Sequence, residues 1–146
     1  MEIRELGPDD LEALLEVYEH LHREDDPLPP REELDALWQT ICADAAQIYM
    51  GAFGVGRIVA ACNAAVIPNL TRGARPYAVI ENVVTNPDLR RTGLGSTVLQ
   101  HLLSRCWDAG CYKVMLLSAA ERGAAHAFYV RNGFDKDAKQ GFVIRK

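Results

Sequence analysis

The sequence predicts a single α/β domain, with a central mixed sheet and helices on both faces. Three observations carry this. Short β-branched runs alternate with segments of helical period along the whole chain. At 146 residues and 49% hydrophobic, the chain is long enough for one well-packed core and too short for two, so residues 1–146 form one domain. At Asn86–Thr97 a strand, a basic glycine-bearing turn and a helix start follow one another directly.

Ile3 to Leu6 reads as a first strand, and Gly7-Pro8-Asp9-Asp10 as a helix start with proline and acids in its first turn. Leu11, Leu14, Leu15, Tyr18 and Leu21 then recur at helical spacing. Glu24 to Pro30 is a proline-rich acidic loop; Leu34, Leu37, Trp38 and Ile41 mark a second helix. Ile48–Gly54 and Arg57–Ile67 form a hairpin turning at Val55-Gly56. A polar, basic loop from Pro68 to Pro76 leads into the strand Tyr77–Thr85. The run from Leu94 to Trp107 is an amphipathic helix that Gly110 ends. Tyr112–Leu117 reads as a strand, Arg122–Asn132 as a helix ended by Gly133, and Phe134 onward as the last strands.

Composition excludes several function classes. A net charge of −4 makes the surface as a whole no attractor of nucleic acid or anionic membrane. Met1–Glu5 carries no apolar signal region, and Ile48–Ile67 is broken by Arg57 and glycines before it reaches membrane length. Cys42, Cys62, Cys106 and Cys111 form no C-x-x-C pair, so reduced, mostly buried thiols in a cytoplasmic protein are expected. His20, His22, His101 and His126 do not combine with them at ligand spacing, so no metal is expected.

The turn at Arg90-Arg91-Thr92-Gly93-Leu94-Gly95-Ser96 carries the chemistry. Glycines let a backbone turn tightly with its N–H groups outward, and a helix N-terminus adds partial positive charge at the same place. Together they suit a phosphorylated ligand, most simply a pyrophosphate. A dinucleotide fingerprint fails because Val98 stands where a third glycine belongs; a P-loop fails because no lysine follows Gly95. What remains is Arg90-x-x-Gly93-x-Gly95, whose plain alternative is a basic turn capping a helix.

Three segments together resemble the GNAT family of N-acetyltransferases. Arg90–Gly95 fits the family's acetyl-CoA pyrophosphate turn, Q/R-x-x-G-x-G/A. Phe128-Tyr129-Val130-Arg131-Asn132-Gly133-Phe134 fits its F-Y-x-x-x-G-F motif, and Val83-Val84-Thr85-Asn86-Pro87 fits the strand end that leads into the turn. Ile80-Glu81-Asn82-Val83 and Gly110-Cys111-Tyr112-Lys113 are similar to segments of glucosamine-6-phosphate N-acetyltransferases, with Asn82 where those enzymes have aspartate. Arg91 stands where the family often has glycine.

The resemblance implies a GNAT fold: a twisted, mostly antiparallel mixed sheet with splayed central strands and about four helices. It implies acetyl-CoA as co-substrate and direct N-acetyl transfer to a primary amine of a small molecule. Val83, Val84 and Thr85 would pair with the pantetheine arm, the backbone near Val83 would hold the thioester carbonyl, and Arg90, Arg91, Thr92, Gly93, Leu94, Gly95 and Ser96 would cradle the pyrophosphate. Tyr129 would be the general acid. Glu81, a carboxylate inside an apolar strand, is the candidate base; alternation places it with Val79 and Val83. A structural ion pair with a loop arginine, or the end of a water chain, are the alternatives for Glu81. Arg72 and Arg75 flank that strand and are candidates for an acidic group on the acceptor, against the default of a solvated basic loop. The acidic Glu24-Asp25-Asp26 points instead to a cationic acceptor. Two further readings stay open: an aminosugar-phosphate acetyltransferase, and a non-catalytic acyl-CoA sensor on the same fold. Closed two-fold assemblies are common, so a homodimer is the default assembly.

Overall fold

The computed structural model describes residues 1–22 and 24–146. Five strands form one open sheet in the order β1 (Glu2–Glu5), β2 (Gln47–Gly54), β3 (Arg57–Ile67), β4 (Tyr77–Thr85) and β5 (Val114–Leu116). The first three pairings are antiparallel and β4–β5 is parallel. Helices α1 (Leu11–Tyr18), α2 (Arg31–Ala43), α3 (Leu94–Asp108) and α4 (Gly123–Arg131) complete the fold. No helix among the described residues is long and apolar enough to cross a membrane.

The two faces of the sheet bury different clusters. On one, Leu94, Val98, Leu99, Leu102, Leu103 and Cys106 of α3 pack on Met50, Ala52, Cys62, Ala64, Ala78 and Ile80. On the other, Leu11, Leu14 and Val17 of α1 and Trp38 of α2 pack on Ile58, Ala61 and Val84. The alanines of β3 let helices approach closely on both sides.

The predicted elements are found with short shifts at their ends. One expectation fails: among the described residues, no strand follows Phe134. Asp135–Gln140 is polar and turns on the Asp135 carboxylate, which accepts from the Asp137 N–H. The remaining apolar run, Phe142-Val143-Ile144, stays exposed. The neighbouring β5 is three residues long, too short an edge to hold another strand firmly.

Arg4 ties β1 to the start of α1. Its guanidinium donates to both oxygens of Asp10 at 2.7 and 2.9 Å and lies 4.0 Å from the Phe53 ring centre. Arg4 holds the Asp10 carboxyl below the usual carboxylate range; the Gly7 N–H helps, and partial burial opposes. A depressed folded-state value adds stability above the unfolded value of about 4, and that stability is lost as pH falls through the folded value. Asp10→Asn should therefore melt below the wild type at about pH 6, with the gap closing on acidification toward pH ~2. Thermal melts across that range check it; a gap that stays constant with pH would refute the account.

Candidate active site

The centre is built on an irregularity in β4. In the β3–β4 register Ala61 faces Val84, but Asn63 faces Glu81. Cys62 alone therefore stands opposite both Asn82 and Val83, a β-bulge with the extra residue in β4. Asn82 adopts the left-handed conformation, φ 53°, which asparagine tolerates better than most residues. Its amide nitrogen donates to Asn63 Oδ1 at 3.0 Å and holds the bulge from the neighbouring strand.

The extra residue reverses the alternation of side chains. Ala78 and Ile80 pack on the α3 side; beyond the bulge Val83 joins that side, and Val84 packs on the α1 side. Glu81 sits opposite Asn63, whose neighbours Cys62 and Ala64 belong to the α3-side cluster. Glu81 therefore points to the α1 side. The simple alternation that placed it with Val83 is corrected by the bulge. Pairing of β4 with β5 stops at Ile80–Leu116, while β4 runs on to Thr85. β5 itself ends at Leu116, just before the bulge, so the edge of β4 beyond Ile80 has no strand partner on that side among the described residues.

Beyond Thr85 the chain enters the basic turn. The Asn86 side chain accepts from the Asp88 N–H at 3.0 Å, and Arg90 Nε donates to the Thr85 carbonyl at 3.2 Å. Gly93 is the N-cap of α3 at φ 88° and supplies no side-chain cap. The Thr97 N–H donates to the Gly93 carbonyl, so the N–H groups of Leu94, Gly95 and Ser96 have no helical acceptor. They form a donor set suited to phosphate oxygens, with Arg90 and Arg91 exposed beside it. Arg91 takes φ 65°, the left-handed conformation that the family's glycine would adopt freely. A side chain there costs about 1–2 kcal/mol. A Cβ on Gly95 would lie 3.0 Å from Thr85 Oγ1 and 3.6 Å from the Phe128 ring. The end of β4, the start of α3 and α4 thus meet at Gly95.

Tyr129 is carried by α4. Its ring makes edge contacts with Phe128 and Phe134, at centroid distances of 5.2 and 5.9 Å. Burial raises the phenol above its ordinary value; Cys62 and Glu81 push the same way and Arg122 opposes. Tyr129 is thus protonated at neutral pH and lies within electrostatic reach of Glu81. The two start from different faces of the sheet: Tyr129 packs on the α3-side cluster and Glu81 points to the α1 side. Glu81 itself is exposed, not buried as its apolar strand implied. Among the described residues it makes no salt bridge, so the structural ion pair is not formed.

Arg72 and Arg75 stand elsewhere. Arg75 Nε donates to the Arg72 carbonyl at 2.8 Å, and its guanidinium rests 5.4 Å from the Tyr112 ring centre. Both precede Tyr77, and a strand rises about 3.3 Å per residue, so the four steps to Glu81 alone span about 13 Å. Two site residues escaped the sequence reading. Asn132 donates to Ser96 Oγ at 3.0 Å and to the Phe128 carbonyl at 2.8 Å, tying α4 to the first turn of α3. Asn63 is a lone polar residue in the apolar run of β3, and that isolation was its available signal. Among the described residues no group of three or more His, Cys, Asp or Glu side chains is placed to hold a metal ion.

Comparison with known proteins matches this geometry. The family model described as "Acetyltransferase (GNAT) family" matches residues 11–134. The glucosamine 6-phosphate N-acetyltransferase of Trypanosoma brucei brucei is 32% identical over 143 residues, covering 96% of this chain and 92% of that protein. A provisionally assigned acetyltransferase from Agrobacterium tumefaciens str. C58 superposes with a TM-score of 0.92 at 42% identity, covering all of both chains. A structure from Bacillus halodurans C-125, described as a transcriptional regulator, superposes with a TM-score of 0.86 at 26% identity over 99% of each chain. With the family's turn and its F-Y-x-x-x-G-F motif both in place, the chain belongs to the GNAT acetyltransferase family.

Proposed function

We propose that this chain transfers an acetyl group from acetyl-CoA directly to a primary amine of a small molecule. The observation that carries the reading is the turn of free helix N–H groups at the end of β4, with the helix of the F-Y-x-x-x-G-F motif packed against it at Gly95. Glu81 comes from the α1 face of the sheet and Tyr129 from α4 on the other, in front of a turn with three free N–H groups.

An alkyl amine has a pKa of about 10 and must lose a proton before it attacks. Glu81, exposed and in no salt bridge among the described residues, takes that proton directly or through water. The amine nitrogen bonds to the thioester carbon, and the backbone at Val83 donates to the oxygen that gains charge. As the carbon–sulfur bond breaks, Tyr129 gives its proton to the departing thiolate. The adduct nitrogen loses its second proton, which restores the phenol through solvent, and Glu81 releases the first to bulk water, so ammonium and thioester become amide, free thiol and one proton. Leu94, Gly95 and Ser96 hold the pyrophosphate by their N–H groups, with Arg90, Arg91 and Thr92 at its side. Val83, Val84 and Thr85 offer the unpaired strand edge to the pantetheine arm.

The Trypanosoma relative makes glucosamine 6-phosphate the first acceptor to test. In this reading Arg72 and Arg75 serve only a distal acidic group. A screen of glucosamine 6-phosphate, glucosamine, amino acids, polyamines and a lysine peptide, followed by thiol release, tests the function. Alanine at both arginines should raise KM for glucosamine 6-phosphate and spare glucosamine; equal effects on the two would remove the arginines from recognition. No thiol release with any amine, despite tight acetyl-CoA binding, would favour the sensor reading instead.

Gly95→Ala should drive its Cβ against Thr85 and shift the first turn of α3. Such overpacking typically costs about 1–3 kcal/mol. Acetyl-CoA affinity by calorimetry should fall about tenfold or more, with far-UV dichroism unchanged; normal affinity would displace the pyrophosphate from this turn.

Tyr129→Phe should lower kcat by about 10²–10⁴-fold with little change in acetyl-CoA affinity. The alkaline fall in kcat should lie above a free tyrosine's value of about 10 and vanish in the variant, because the raised phenol donates only while protonated. Glu81→Gln should lower kcat/KM for the amine with KM for acetyl-CoA unmoved. A Tyr129→Phe enzyme with full kcat, or a Glu81→Gln enzyme that loses only thermal stability, would reassign these roles.

A further inference from the structure

Asn132 caps the end of α4, where its backbone N–H donates to the Phe128 and Tyr129 carbonyls at 3.2 and 3.0 Å. Its side chain reaches across to α3. The amide nitrogen donates to the Phe128 carbonyl at 2.8 Å and to Ser96 Oγ at 3.0 Å. A carbonyl can only accept, so the nitrogen is the atom that faces Phe128, and both of its protons are in use. The amide oxygen accepts from Gln100 Nε2 at 3.3 Å, one helical turn beyond Ser96. Turning the amide over would set its oxygen against the Phe128 carbonyl and its nitrogen against the Gln100 nitrogen, two like pairs. The orientation of Asn132 is therefore fixed from both helices.

That orientation fixes the role of Ser96. Its hydroxyl oxygen accepts from Asn132, so its one proton points elsewhere. Among the described residues that proton meets no acceptor. The other hydroxyls of the turn are committed: Thr92 donates to the Leu89 carbonyl at 2.7 Å and Thr97 to the Gly93 carbonyl at 3.1 Å. Ser96 is only half-buried, and it shares the first turn of α3 with the free N–H groups of Leu94, Gly95 and Ser96 itself. We propose that Asn132 is a positioning residue: by donating to Ser96 Oγ it directs the Ser96 hydroxyl, as a fourth donor, onto the diphosphate of acetyl-CoA. The inference rests on the donor site of the transfer proposed above and adds the residue that aims one of its donors. It also joins the helix that carries Tyr129 to the grip on the co-substrate.

A double-mutant cycle on the full-length chain separates this role from a structural one: wild type, Ser96→Ala, Asn132→Ala and the double variant. Calorimetric titration with CoA reads the affinity, so no acceptor amine is needed, and Tm reports the fold of each protein. Ser96→Ala should bind CoA about tenfold more weakly, the scale of one hydrogen bond to a charged group. Asn132→Ala should also bind more weakly than the wild type, and the double variant no more weakly than Ser96→Ala. Dephospho-CoA, which lacks the ribose phosphate and keeps the diphosphate, should lose the same factor. An Asn132 that merely caps α4 would lower Tm and carry its whole effect on affinity into the Ser96→Ala background. Wild-type affinity in either single variant, additive losses in the double variant, or a loss seen with CoA and absent with dephospho-CoA would each overturn the proposal. If Asn132→Ala does not fold, Asn132→Ser takes its place under the same outcomes, since a serine hydroxyl bonds the carbonyl four residues back and gives up Ser96. Failure of the wild type to bind CoA would instead refute the donor site itself, and this proposal with it.

Discussion

The extra residue at Asn82 is the constraint on which the centre depends. A regular β4 would keep one alternation from Tyr77 to Thr85 and place Glu81 and Val83 on the same face. The bulge sends Glu81 to the α1 side and Val83 to the α3 side. It lies where β5 ends, so the altered twist and the free edge of β4 coincide. The left-handed backbone at Asn82 is unfavourable, and the bond to Asn63 contributes about 0.5–1.5 kcal/mol in return. Asn63 is itself buried in an otherwise apolar strand, so each amide satisfies part of the other.

The second constraint is the seating of α3. Leu94 is buried at its first position, and Val98, Leu99 and Leu102 continue the buried stripe. The first turn is therefore fixed by core packing before any ligand arrives. Asn132 adds a clamp from α4, and Gly95 allows the helix to sit against Thr85 without a side chain between them. Preorganised N–H donors need no rearrangement to meet an anion, which is where their electrostatic advantage lies. Arg91 keeps a strained backbone in this turn, and its charge works locally against a chain that is net negative.

The sequence made the fold and the anion turn legible because both depend on local pattern. The apolar period of α3, the hairpin at Val55-Gly56 and the Arg90-x-x-Gly93-x-Gly95 turn each lie within a few residues of chain. The bulge was not legible, since it is a mismatch between two strands and only their register reveals it. The face of Glu81 was therefore misread, and its burial overestimated. Asn132 was hidden for the same reason: it lies 3.0 Å from Ser96 in space but far from it in sequence. The tail failed differently. Phe142-Val143-Ile144 has the composition of a strand, but composition does not reveal that β5 is too short an edge to receive it.

The sheet also decides which chemistry suits the centre. A ping-pong route needs a nucleophile that can carry the acetyl group. Cys62 is at the bulge, yet burial drives its thiol far above the range in which a thiolate forms near neutral pH. Cys106 is pushed up to about 11 by burial, and Cys111 is raised the same way. These thiols pack in the α3-side core as small apolar side chains. In the proposed transfer the donor's turn lies at one end of β4 and Glu81 faces the opposite side, an arrangement that needs no carrier. Direct attack is the route that this partition favours.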